Sequence, residues 1–346
     1  MIKKLRAMAA ACALVAVIPP GGLPISSETP ELPSLTAVAW TLYDADAGVV
    51  LASEGADVER PMASVTKIMT ALVVRDNAEL DDRVRVTESA AATGEAEIGL
   101  VPGELWSVED LLAAVLVRSG NDAAVALAEY VGGSVEGFTE MMNDKAAQLG
   151  LEHSHFVNPH GLDADGHYTS ANDLVTMAAK ALEDPVLAQM ARTRFVKFRP
   201  DPAGVDRIAR STNKLLGVYP GVVGFKTGFT NKAGKVLVSV LETGERTLIG
   251  VVMMSEDHFA DSRELLDWGV NAITLQDSLR APLAEDQGGG GQVTGIRLTA
   301  SQRARLLSVG DLADGSFAVT DPATSGLAMR IEAWLRSQLP ITLGGK

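Results

Sequence analysis

Cysteine is nearly absent: Cys12 is the only one in 346 residues, which excludes an intramolecular disulfide. Positive charge is also scarce. Lys and Arg total 30 against 44 Asp and Glu, a formal net charge of −14. That balance argues against nucleic acid or anionic lipid as the main partner, although a local site on an acidic protein can still be positive. After Ile18 no apolar run is long enough to span a bilayer. A compact metal-binding motif is missing too. His153, His155, His160 and His167 lie close together near Asp163 and Asp165, the best candidate for zinc ligands, but no two of these histidines form an H-x-x-x-H pair on a helix. No metal and no cofactor are expected, and no internal repeat is visible.

The chain has ample apolar material for a core. Hydrophobic residues make up 47% and charged residues 21%, a globular composition, and the length exceeds one usual domain. Residues 1–28 read as a signal peptide: Lys3, Lys4 and Arg6 precede the apolar stretch Ala7 to Ile18, which ends at Pro19-Pro20. Retention of this segment as an uncleaved anchor is the alternative. Residues 29–36 read as a linker, 37–280 as the main domain, 281–292 as a Gly-rich linker and 293–346 as a small accessory region of unassigned role.

Within the main domain, Ala37 to Tyr43 and Val49 to Ala52 flank a turn and predict a hairpin. Ser107 with Asp110, and Ser170 with Asp173, have the spacing of helix caps. They predict helices over 108–117 and 171–182, with further helices over 123–131, 138–149 and 262–273. Residues 213–255 predict a meander of three strands. Its last two strands are nearly continuous apolar runs, as expected of strands covered on both faces.

Three short patterns carry chemistry. In Pro61-Met-Ala-Ser-Val-Thr-Lys67, Ser64 and Lys67 are three apart at the start of an apolar helical run, so hydroxyl and ammonium share a face. A helix start offers unpaired N–H groups for an oxyanion, and a lysine held against apolar walls loses its charge more easily. The same spacing also suits a capping serine and a solvated lysine. Ser119-Gly-Asn121 interrupts two apolar helices, as a functional loop or a simple turn would. Lys226-Thr-Gly228 breaks an apolar strand with a cation, a hydroxyl and a residue without a side chain. These could face a groove, or Lys226 could be an exposed strand lysine.

In this order the three patterns resemble the S-x-x-K, S-x-N and K-T-G boxes of the serine penicillin-recognising enzymes. Their surroundings resemble the D-alanyl-D-alanine carboxypeptidases, the low-molecular-weight penicillin-binding proteins. The stretches concerned are Pro61 to Thr70, Phe156 to Leu162, Tyr168 to Asp173, Thr212 to Leu216 and Gly224 to Gly234, and the likeness spans about residues 37–275. The resemblance implies an α/β, β-lactamase/transpeptidase-like fold, an antiparallel sheet of about five strands covered by helices. It implies Ser64 as acylated nucleophile, Lys67 as its base, and Ser119 and Asn121 as proton relay and substrate-amide ligand. Lys226, Thr227 and Gly228 would bind the substrate, with Lys226 and Thr227 on its terminal carboxylate. Backbone N–H groups of Ser64 and Phe229 would form the oxyanion hole.

The implied partners are peptidoglycan stem peptides, with β-lactams as inhibitors and no nucleic acid. The implied location is exported and extracytoplasmic, and peripheral membrane or cell-wall association stays open. A D,D-endopeptidase would use the same residues. A class A β-lactamase would need a deacylating glutamate between the second and third boxes, and residues 153–182 contain none. A catalytically silent wall-binding protein would not need intact boxes.

Overall fold

The computed structural model describes residues 31–244 and 246–280. The expected signal peptide, the Gly-rich linker and the accessory region lie outside the described residues. In chain order, the hairpin β1 (Ala39–Asp44) and β2 (Val49–Glu54) leads to a single 3-10 turn, Ala63–Thr66, and then α1 (Lys67–Asn77). β3 (Arg83–Arg85), α2 (Glu88–Ala91) and β4 (Leu105–Ser107) follow, then the helices α3 (Val108–Ala113), α4 (Asn121–Gly132), α5 (Val135–Leu149), α6 (Ala171–Leu182) and α7 (Pro185–Ala191). The small hairpin β5 (Phe195–Lys197) and β6 (Ile208–Arg210) precedes the meander β7 (Val222–Thr230), β8 (Gly234–Thr243) and β9 (Arg246–Ser255), and α8 (His258–Arg280) ends the described chain.

The main sheet has five strands in the order β2-β1-β9-β8-β7, with every pair antiparallel. Its faces explain the apolar runs of β8 and β9. Val236, Val238, Val240, Ile249, Val251 and Met253 join the core shared with the helices α1, α4 and α6. Leu237, Leu241, Leu248 and Val252 alternate with them and pack with Leu265 and Leu266 of α8. A strand covered on both faces has no polar side, so its sequence loses the period of two. β7 is the last strand of the sheet, and its outer edge approaches the 3-10 turn that carries Ser64.

α1 is buried nearly all round, through Ile68, Met69, Ala71, Leu72, Val73 and Val74. It touches α4, α5 and α6, which makes it the axis of the helical layer. The capping serines act as expected: Ser107 Oγ accepts from the Asp110 N–H and Ser170 Oγ from the Asp173 N–H, each satisfying a first-turn donor. The expected helix over 108–117 changes character, however. It is α-helical only to Ala113 and then widens into a π-helical turn, Ala114–Arg118, which stops at Ser119 with a left-handed φ of 68°. Widened turns of this kind often mark functional sites. α4 and α8 begin earlier than the apolar pattern suggests, because Asn121 and His258 already carry helical backbone.

Candidate active site

Ser64 lies in the 3-10 turn, one residue after Ala63, whose φ of 50° is left-handed and strained for a residue with a side chain. Lys67 opens α1 and is completely buried. The i, i+3 relation brings Lys67 Nζ to 3.1 Å from Ser64 Oγ. Two other acceptors complete its shell: Asn121 Oδ1 at 2.7 Å and the carbonyl of His160 at 2.6 Å. Burial lowers the Lys67 pKa well below that of a free lysine, and the nearby charge of Lys226 lowers it further. Once one proton is lost, the remaining two N–H bonds match Asn121 and His160. The lone pair is then left to face the Ser64 hydroxyl, which is the arrangement of a base beside its nucleophile.

The turn after the π-helical segment brings in the second group. Ser119 and Asn121 are both buried, and Asn121 is tied to the loop before β4. Its backbone N–H donates to Ala96 O and its side-chain amide to Gly94 O. Asp122 fixes the same loop by accepting from the Ile98 and Leu100 N–H groups. Sequence reasoning did not single out Asp122, although it directly follows the S-x-N pattern.

β7 supplies the third group. Lys226 points into the core side of its strand, is 1% exposed, and donates to Ser119 Oγ at 2.9 Å and to Thr227 O at 2.9 Å. Thr227 Oγ1 lies 2.6 Å from Thr212 Oγ1, so a second hydroxyl extends the polar edge of the strand. Thr212 heads a stretch that shares the family resemblance, yet nothing in its residue type announced a place beside Thr227. Gly228 passes so close to the nucleophile turn that a Cβ there would stand 3.1 Å from Ser64 N and 3.0 Å from Ala63 Cβ. The backbone around Ser64 and Phe229 can therefore share one small volume. The Phe229 ring is 65% exposed.

All eight residues singled out from the sequence thus lie on three converging segments: the Ser64 turn with the start of α1, the Ser119 turn with the start of α4, and β7. The four clustered histidines have separate partners. His153 Nδ1 lies 3.9 Å from Glu59, and His155 Nδ1 bonds to Gly166 O at 2.7 Å. His160 contributes its carbonyl to Lys67, while His167 Nε2 lies 2.8 Å from Thr66 Oγ1. Among the described residues no group of three or more His, Cys, Asp or Glu converges as a metal site.

Burial brings the Lys226 pKa down to about 7. In the unfolded chain it is about 10.4. Below pH 7 the lysine is charged in both states, so the cost of burying charge is fully present. Between these values the unfolded chain binds more protons, and stability rises with pH. Replacing Lys226 with methionine is therefore expected to raise Tm most below pH 7 and least near pH 10. Calorimetry of both proteins across that range checks this, and a Tm difference that does not narrow with pH would reject it.

The comparisons with known proteins agree on one group. The family model described as D-alanyl-D-alanine carboxypeptidase matches residues 26–257. The chain is 37% identical over 221 residues to D-alanyl-D-alanine carboxypeptidase DacF of Bacillus subtilis, covering 62% of this chain and 57% of that protein. It is 38% identical over 281 residues to D-alanyl-D-alanine carboxypeptidase DacC of Escherichia coli, covering 77% and 68%. Among solved structures, the Streptomyces K15 DD-transpeptidase superimposes with a TM-score of 0.66 at 29% identity, over 69% of this chain and 99% of that one. D-alanyl-D-alanine carboxypeptidase DacD of Francisella tularensis gives 0.65 at 28% identity, over 68% and 71%.

Proposed function

The chain belongs to the D-alanyl-D-alanine carboxypeptidase family, and from that membership we propose that it removes the terminal D-Ala of peptidoglycan stem peptides through an acyl-enzyme on Ser64. The observation that carries the reading is the shell of Lys67: a buried amine with two fixed acceptors and its third direction on Ser64 Oγ.

The substrate carboxylate lies against Lys226 and Thr227, and its charge restores the proton that burial makes Lys226 lose readily. Ser64 gives its proton to the neutral Lys67 Nζ as Oγ attacks the carbonyl carbon of the penultimate D-Ala. The oxyanion accepts from the Ser64 and Phe229 N–H groups, an interaction that strengthens as charge develops. Ser119 gives its proton to the departing amine and is reprotonated from Lys67, which returns Lys67 to its neutral form. D-Ala leaves and an ester remains on Ser64. Water then gives a proton to Lys67 and attacks the ester, and Ser64 leaves with that proton. A β-lactam would follow the first half of this course and stay on Ser64.

Export fits this substrate. Residues 1–28 serve in this proposal as the signal, and residues 281–292 as a tether for 293–346. The test is incubation of the secreted-form chain with a pentapeptide ending in D-Ala-D-Ala and, separately, with a cross-linked muropeptide. Release of one free D-Ala from the pentapeptide is expected. Cleavage of the cross-link alone would replace this reading with the endopeptidase one, and no cleavage of either would remove both.

A further inference from the structure

His167 is buried in the loop between α5 and α6, and the proton transfers above do not use it. Its hydrogen bonds run in one direction. The Val157 N–H can only donate, and it donates to Nδ1 at 3.1 Å. Nδ1 is therefore bare and Nε2 carries the proton, which goes to Thr66 Oγ1 at 2.8 Å. The Thr66 hydroxyl in turn donates to Ala63 O at 2.8 Å. Burial, followed by the charge of His155, holds the His167 pKa down to about 4, so the ring stays neutral near pH 7. The Phe156 ring meets it edge-on, with ring centroids 6.0 Å apart.

The end of this chain of bonds matters because of peptide planarity. Ala63 C=O and Ser64 N–H belong to one planar unit and point in opposite directions. Whatever holds the oxygen aims the N–H. Ala63 is also in a strained left-handed conformation, which relaxes unless its surroundings hold it. We propose that His167 is a positioning residue: through Thr66 it holds the Ala63 carbonyl and so aims the Ser64 N–H at the developing oxyanion. This rests on the acyl-enzyme reading of Ser64. It requires that His167 act on the rate of acylation and little on ground-state binding, because an aimed donor gains most when charge appears on the oxygen.

The test is stopped-flow acylation by a fluorescent penicillin, which separates the acylation rate constant from the dissociation constant of the initial complex. His167→Leu removes both bonds and is expected to slow acylation about 30-fold, in line with the cost of small misplacements at a reacting centre, with the dissociation constant nearly unchanged. His167→Gln keeps an acceptor for Val157 and a donor for Thr66, and is expected to recover most of the rate. Thr66→Val should slow acylation as much as His167→Leu, and the double variant should be no slower than either single one, since all three break one chain. Wild-type acylation in His167→Leu would overturn the proposal. So would a His167→Gln protein that acylates about 30-fold more slowly than wild type, and this second arm decides the matter if the leucine variant does not fold. Failure of the wild-type protein to acylate at all would instead overturn the acyl-enzyme reading itself.

Discussion

Changing Ser64 to alanine is expected to abolish the mass gain that a penicillin leaves on the chain and to lower D-Ala release at least ~10³-fold, the scale on which nucleophile losses are measured. The reasoning is local. Ser64 Oγ touches Lys67 Nζ, and among the described residues no other hydrogen-bond partner of that amine can be acylated: the others are an amide oxygen and a backbone carbonyl. Alanine removes one oxygen and leaves the turn intact, so Tm should move little. Intact mass after brief exposure to the drug reads the first effect, and free D-Ala from a pentapeptide reads the second. A gain of the whole drug mass in wild type that decays slowly, and is lost in the variant, is the expected pair. Wild-type D-Ala release by Ser64→Ala would remove Ser64 from the mechanism. Destruction of the drug by wild type with no lasting adduct would point instead to a β-lactamase.

Much of this site was legible because its parts are local in sequence. Ser64 and Lys67 are one helical turn apart, and Ser107 and Ser170 mark helix starts to the residue. The residues themselves predicted one hairpin and a three-strand meander, and their union into one antiparallel sheet of five strands was what the family resemblance implied. What stayed hidden depends on contacts between distant segments. The carbonyl of His160 is a Lys67 ligand, but a backbone oxygen carries no residue signature. Thr212 becomes part of the site only because β7 passes it. The π-helical turn before Ser119 lies in Ala-Val-Leu-Val, which any buried helix could contain. The hairpin of β5 and β6 has three residues per strand, too few for a period to show, with Phe195 and Ile208 exposed. α7 was missed for a different reason: Asp184 and Pro185 give the expected cap and first position, and only the shortness of the helix hid them.

Gly161→Ala is expected to slow acylation about 100-fold and to destabilise the fold by a few kcal/mol, because the methyl group has nowhere to go. Gly161 has a φ of 92°, and a Cβ built there would lie 2.0 Å from Ala63 O, 2.4 Å from Ala63 C and 2.8 Å from Thr66 Oγ1. The first two are backbone atoms and cannot rotate aside. If the loop gives way, His160 O moves off Lys67 Nζ, the base loses a fixed acceptor and its lone pair is no longer aimed. If the nucleophile turn gives way, Ala63 O moves and the Ser64 N–H swings with it. Both responses damage acylation, so the direction of the effect does not depend on which segment yields. Gly166→Ala separates this collision from simple backbone strain. Gly166 has a similar φ of 80° in the same loop, yet its nearest contact would be His155 Nδ1 at an ordinary 3.7 Å. It should cost about 1 kcal/mol of stability and leave the acylation rate within about threefold of wild type. Equal losses of rate in the two variants would mean that strain alone is felt at the site, and that the close seating of Gly161 on the Ala63 carbonyl has no part in aiming the nucleophile turn.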